Sequence, residues 1–209
     1  MTVQVKKILS GALDTNCYVV YDPENLHAAI VDPGEDGVKV ISEIEREKFK
    51  PEILINTHGH YDHILSDDEV RSRFKIPLAV HKDEVSMLFD AYKNGSSLFS
   101  NVGAKIVKNP DMLLEDDQKV NLSFTSFKIM HTPGHTKGGI CLLFDDFLIT
   151  GDTLFAGTIG RTDLYGGDDE KMRESLSELK KLEASLIIYP GHGSRTTLSN
   201  ELRHNQYLK

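Results

Sequence analysis

Tryptophan is absent from the 209 residues, and cysteine occurs only twice. At most one disulfide could form. Cys17 and Cys141 each lie in an apolar, strand-like stretch (Asn16-Cys17-Tyr18-Val19-Val20 and Ile140-Cys141-Leu142-Leu143), the setting of buried thiols in a reducing compartment. No run of roughly 20 apolar residues exists that could span a membrane, and Lys6-Lys7 precede no long apolar stretch of the secretory kind. Basic residues are the scarcer charge, 24 against 32 acidic, leaving a net charge of −8. Such a surface repels phosphate backbones and anionic lipid, so neither a nucleic acid nor a membrane is the expected partner, although a local basic pocket for a small anion is compatible. Low-complexity segments, fixed-period repeats and linkers are also lacking. One domain over residues 1–209, in the cytoplasm, is the expectation.

What is present is strands followed by helix, twice over. Val3 to Leu9, Cys17 to Tyr21 and Ala28 to Val31 are β-rich runs closed by turn residues such as Asp32-Pro33-Gly34. A helix is predicted over Gly37 to Lys48, with Val38, Val40, Ile41 and Ile44 on its apolar face. Ile53-Leu54-Ile55 reads as a buried strand, Ser66 to Glu69 as an acidic helix start, Pro77 to His81 as a strand and Lys82 to Tyr92 as a helix. Residues 93–118 read as irregular, a candidate lid or flap. Strands resume at Val120 to Phe124, Phe127 to His131, Gly139 to Phe144 and Phe147 to Thr150. A glycine-rich loop from Thr153 to Asp169 precedes a helix near Glu170 to Leu182, a strand at Leu186 to Tyr189 and a short last helix. The order suits an α/β fold with two sheets face to face and helices outside.

Chemistry concentrates at strand ends. His58, His60 and His63 fall within six residues, with Asp62 among them. His135 (Thr132-Pro133-Gly134-His135), Asp152 (Gly151-Asp152-Thr153) and His192 (Pro190-Gly191-His192) each follow a predicted strand and adjoin glycine, where backbone can pass close to something small. Imidazoles and carboxylates suit zinc, with iron and manganese also accepted. Seven such groups exceed what one tetrahedral ion uses and fit two divalent ions sharing a water of near-neutral pKa, with Asp152 the candidate bridge. His27, His81, His131 and His204 read as ordinary polar residues. Strand alternation is expected to turn His131 away from the cluster.

Thr57-His58-Gly59-His60-Tyr61-Asp62-His63 resembles the T-H-x-H-x-D-H signature of the metallo-β-lactamase-fold superfamily, and the other motifs follow in that family's order, closest to compact bacterial glyoxalase II-like (hydroxyacylglutathione hydrolase-like) proteins. The resemblance, from about residue 3 to residue 205, implies an αββα four-layer sandwich with the metals at one sheet edge. It implies His58, His60 and His135 around one ion, Asp62, His63 and His192 around the other, and Asp152 between them. Asp32 resembles the family's aspartate beneath the site, and a turn former before glycine is the equal alternative. Asp62 and Asp152 are the candidate catalytic carboxylates.

The implied reaction is thioester hydrolysis on a small molecule, of the kind performed on S-lactoylglutathione. A thiolate leaves without a dedicated general acid, which suits a site whose ionisable groups all face metal. Arg161, in Gly160-Arg161-Thr162-Asp163, and Lys137 are the candidate substrate contacts; an Arg161–Asp163 pair bracing the loop is the alternative. Two departures loosen the link to glutathione: no C-terminal helical domain is expected, and Asp163 stands where longer glyoxalase II enzymes carry an aromatic residue. Persulfide dioxygenases, which resemble the chain in the same two motifs but bind one iron, are the rival reading. β-Lactam hydrolysis ranks lower, as do nuclease chemistry and a non-catalytic metal-binding module.

Overall fold

The structure is a computed structural model describing residues 3–98 and 103–209. Its layering follows from alternation along strands, where successive side chains face opposite ways. In β2 (Thr15–Tyr21), after β1 (Gln4–Ser10), Tyr18 and Val20 join one apolar cluster while Cys17 and Val19 join another. Both faces are thus apolar, and both need cover.

The first sheet continues through β3 (His27–Val31), β4 (Lys50–Ile55), β5 (Leu78–His81) and β6 (Met112–Leu114) in that order. It is antiparallel from β1 to β3 and parallel from β3 to β6. The second holds β7 (Lys119–Asn121), β8 (Ser126–His131), β9 (Ile140–Leu143) and β10 (Phe147–Gly151). A hairpin of β11 (Leu154–Phe155) and β12 (Thr158–Ile159) intervenes before β13 (Ile187–Pro190) and β14 (Thr196–Thr197) complete that sheet, in the order β14-β13-β10-β9-β8-β7.

Between the sheets, Tyr18, Val31 and Ile55 pack against Ile129, Leu142 and Ile149. On the outer face of the first sheet lie α1 (Gly37–Arg46), α2 (Tyr61–Ile64), α3 (Asp67–Phe74) and α4 (Val85–Leu88), contributing Val40, Ile44, Ile64, Val70 and Leu88. On the outer face of the second lie α5 (Asp169–Leu179) and α6 (Leu198–His204), contributing Met172, Leu176, Leu179 and Leu198. The result is the αββα sandwich. Each fully buried Val, Leu, Ile or Phe contributes roughly 1.5–3 kcal/mol. Cys17 and Cys141 are free thiols on opposite sheets, and burial pushes the Cys141 thiol up to about 11.

Three local expectations need correction. Val38 is 70% exposed, so the buried face of α1 is Gly37, Val40 and Ile44. The helix over Lys82 to Tyr92 is only a 3-10 turn at Lys82–Glu84 followed by α4. Asp90 stops it, because its Oδ1 accepts the Tyr92 and Lys93 N–H groups that a helix would have paired elsewhere. Within 93–118, β6 pairs with β5, but three residues with one buried side chain carry no readable period. As for a lid there, the Asn94 carbonyl accepts the Tyr61 N–H at 2.9 Å, and Asn94 and Ser96 are fully buried, so this part is tied to the body. Residues 99–102 lie outside the described residues.

Candidate metal centre

The chemistry-bearing side chains leave the C-terminal ends of strands from both sheets. Asp32 follows β3; His58 and His60 follow β4, and the short α2 carries Asp62 and His63; His135 follows β8, Asp152 follows β10 and His192 follows β13. The two sheets are joined here, since the Asn16 N–H donates to the Gly191 carbonyl at 2.7 Å and Tyr18 Oη donates to the Pro190 carbonyl at 2.8 Å.

The seven side chains singled out from the sequence form two triads and a shared carboxylate. His58, His60 and His135 bring donor atoms together, as do Asp62, His63 and His192. In the first, His60 Nδ1 is 2.9 Å from His135 Nε2. In the second, His63 Nε2 and His192 Nε2 are 3.2 Å apart, and Asp62 Oδ2 lies 3.2 Å from His192 Nε2 and 3.5 Å from His63 Nε2. Metal–nitrogen bonds of about 2.0–2.1 Å give tetrahedron edges of roughly 3.3 Å, so these spacings suit ligands around an ion. Asp152 reaches both groups: its Oδ2 is 3.4 Å from His135 Nε2 and 3.7 Å from His192 Nε2.

Hydrogen bonds behind the cluster decide which nitrogen faces inward. Asp32 Oδ2 accepts from His63 Nδ1 (3.0 Å) and from the Thr57 hydroxyl (2.6 Å), and its Oδ1 accepts the Thr57 N–H (2.8 Å). The Thr57 hydroxyl oxygen can then accept from His58 Nδ1 at 3.1 Å. His135 Nδ1 donates to the Arg161 carbonyl (2.7 Å) and His192 Nδ1 to the Leu13 carbonyl (3.1 Å). With Nδ1 donating outward in four rings, each turns Nε2 to the centre, the arrangement by which outer hydrogen bonds orient metal-binding histidines. Among the described residues, His58 Nε2 and Asp152 Oδ1 are buried with no hydrogen-bond partner. Unpaired buried polar atoms are rare, and two of them among these donors match a donor set for cations. Asp32 also groups with His58 and His63 as a possible ligand, but its oxygens already take three hydrogen bonds, so it acts from behind.

Charge separates the triads. Burial, reinforced by the neighbouring imidazoles, holds His58 and His60 well below the usual histidine range, so both are neutral. Burial opposes charge on His63 too, yet the carboxylates of Asp62, Asp152 and Asp32 outweigh it and push that ring up to about 10. Burial likewise raises Asp62, but His63 and His192 outweigh it and keep the carboxyl ionised at neutral pH. A ligand imidazole must be neutral, so without an ion His63 carries at pH 7 a proton that metal binding must displace. Zinc titration by calorimetry in buffers of different ionisation enthalpy is expected to show proton release. Heats independent of the buffer would contradict this.

The model of the metallo-beta-lactamase superfamily matches residues 10–192. The chain belongs to that superfamily. It is 34% identical over 203 residues to hydroxyacylglutathione hydrolase GloC of Haemophilus influenzae, across 94% of both chains. The solved structure of BLEG-1 B3 metallo-beta-lactamase superposes with a TM-score of 0.93 at 36% identity, covering 99% of this chain and 100% of that one. TTHA1623 in a di-iron-bound form superposes with a TM-score of 0.85 at 28% identity, covering 98% and 100%. The chain is thus a metallo-hydrolase of the metallo-β-lactamase superfamily, with a histidine–aspartate cluster able to hold metal.

Elsewhere in this superfamily member, the Arg161 side chain pairs with Asp163 through two bonds, Nε to Oδ1 at 2.6 Å and Nη2 to Oδ2 at 2.8 Å. It is the Arg161 carbonyl that touches the cluster, through His135. Lys137 is placed apart from Arg161, on a cavity of about 740 Å³ lined also by Asp83, His131, Asp168 and Lys171 and by none of the seven. His131 is indeed turned from the cluster and stacks on His81 with centroids 4.2 Å apart and planes at 14°. With Asp83 they bring three donors within reach, but lone pairs in near-parallel ring planes do not meet at one ion, so both stay ordinary polar residues. His27 pairs with Glu52 at the surface. Sequence reasoning missed Thr15, whose hydroxyl donates to Asp62 Oδ2 at 3.1 Å, and the Leu13 carbonyl behind His192. A backbone acceptor leaves no signal in residue type; Thr15 opens a strand, as threonine commonly does.

Proposed function

We propose that this superfamily member is a binuclear metallohydrolase of small-molecule thioesters, of the hydroxyacylglutathione hydrolase type. The observation that carries the reading is Asp152 reaching both triads while outward hydrogen bonds hold four Nε2 atoms inward. Two divalent ions, zinc first with iron or manganese accepted, would be held by His58, His60 and His135 and by Asp62, His63 and His192, with Asp152 between. Bound there, they supply Lewis acidity toward an acyl carbonyl and bring the pKa of water toward neutrality.

The chain's own residues do the rest. Asp62, kept ionised by His63 and His192 and steadied by Thr15, accepts a hydrogen bond from the attacking water and orients it. Asp32 and Thr57 keep His58 and His63 from rotating. The carboxylates and imidazoles of the cluster would all be taken up by the ions or by one another, so the reaction fits a leaving group that departs unprotonated, as a thiolate does. The relative named a hydroxyacylglutathione hydrolase supports this choice. The −8 charge disfavours nucleic acid and anionic membrane as partners, and no helix among the described residues is long and apolar enough to cross a membrane. Arg161, exposed on the loop behind His135, remains the proposed contact for an anionic carrier, in a cytoplasmic setting; Lys137, on a cavity that none of the seven lines, is set aside.

A second reading has one observation behind it: the close superposition on a B3 metallo-β-lactamase. Initial rates on S-lactoylglutathione, other acyl thioesters and a β-lactam panel separate the two, and oxygen uptake with glutathione persulfide tests dioxygenase chemistry. Thioester hydrolysis well above β-lactam turnover, without oxygen consumption, is the expected result. β-Lactam turnover alone, or oxygen uptake, overturns it.

A further inference from the structure

Glu84 closes the 3-10 turn after β5 and is fully buried, yet it belongs to neither triad. Its two oxygens serve two loops far apart in sequence. Oε2 accepts the Gly59 N–H at 2.7 Å, and Oε1 accepts the Gly138 N–H. Gly59 separates His58 from His60; Gly138 lies just beyond His135. Each loop is shaped to approach this side chain. A Cβ at Gly59 would lie 2.8 Å from Met87 Cβ and 3.0 Å from Glu84 Oε2, and a Cβ at Gly138 would lie 2.9 Å from both Glu84 Cγ and Glu84 N. Burying a carboxylate is unfavourable unless donors compensate it, and an apolar side chain would fill the same space without that penalty. What an apolar residue could not do is fix the distance between the two loops.

We infer that Glu84 is a positioning residue that straps the His58–His60 loop to the His135 loop and so sets the spacing of the first triad alone. None of its hydrogen bonds runs to a residue of the Asp62–His63–His192 triad. The inference rests on the reading that both triads hold ions, and its test keeps the two apart. Zinc affinity of the metal-free chain is measured by chelator competition in two backgrounds: His192→Ala, which leaves the first triad intact, and His60→Ala, which leaves the second. Glu84→Gln keeps the length but presents an amide where one loop needs an acceptor. Glu84→Asp keeps the carboxylate but shortens the span, and serves as the second variant should the glutamine not fold.

Either substitution is expected to weaken zinc about 10–100-fold in the His192→Ala background, the range for groups that orient ligands, and to change it little in the His60→Ala background. A merely structural role would weaken both backgrounds alike and track a fall in metal-free melting temperature. Equal weakening in both, or none in either, overturns the strap. An otherwise unaltered chain that binds no zinc overturns the metal reading first, and the strap with it.

Discussion

Asp152→Ala is expected to abolish thioester turnover while leaving the metal-free protein folded as before. Its carboxylate reaches a nitrogen of each triad, at 3.4 Å and 3.7 Å, so alanine would remove the ligand that the two proposed ions share. The loss in kcat/KM should exceed the roughly 100-fold upper range for residues that only orient ligands. Stability should behave differently. Among the described residues Asp152 Oδ1 has no hydrogen-bond partner, and the carboxylate meets His63, His135 and His192 only at 3.4–3.7 Å, so its removal costs charge compensation but no hydrogen bond. The melting temperature of the metal-free variant should fall only slightly, as His63 loses one of its three carboxylate neighbours, and the rise on adding zinc should shrink. Turnover near the parent level, or a large loss of metal-free stability, would remove Asp152 from its bridging place.

Asp32→Ala should show the reverse balance. Asp32 is buried, accepts three hydrogen bonds and holds His63 and, through Thr57, His58. Removing it leaves buried donors unpaired, at a cost of about 3–5 kcal/mol in the metal-free protein. Metal affinity should fall about 10–100-fold as the two rings lose their orientation. The backbone matters too, because Asp32 sits at φ +51°, a left-handed conformation that aspartate and asparagine tolerate better than alanine. Asp32→Asn separates the causes: it keeps the backbone preference but turns an amide toward donors. Thermal melts with and without zinc check both variants. An Asp32→Asn protein with parental affinity and melting temperature would reduce Asp32 to a turn former.

The comparison of these two aspartates marks what the sequence could convey. The layers were legible because β9, β10 and the later halves of β2 and β4 run as apolar stretches and α5 carries a helical period, patterns set by burial on both sheet faces. The seven clustered side chains were legible because histidine and aspartate beside glycine after an apolar strand have few cheap explanations. Asp32 looked equally like a turn residue, since the left-handed conformation that makes it one also aims its carboxylate at His63. Glu84 was hidden inside what read as one helix from Lys82 to Tyr92, a period that Asp90 interrupts through side-chain hydrogen bonds. Arg161 was chosen for its charge, yet its carbonyl makes the contact with His135, and a carbonyl is common to every residue type. β6 pairs along three residues only, where edge strands leave almost no pattern.

The central claim is a pair of ions sharing Asp152. Titration of the metal-free chain with manganese, followed by electron paramagnetic resonance, tests it most directly. The account predicts uptake of two ions per chain and, at saturation, the spectrum of an exchange-coupled pair. Saturation at one ion per chain, or two ions giving only the spectrum of isolated manganese, would contradict it.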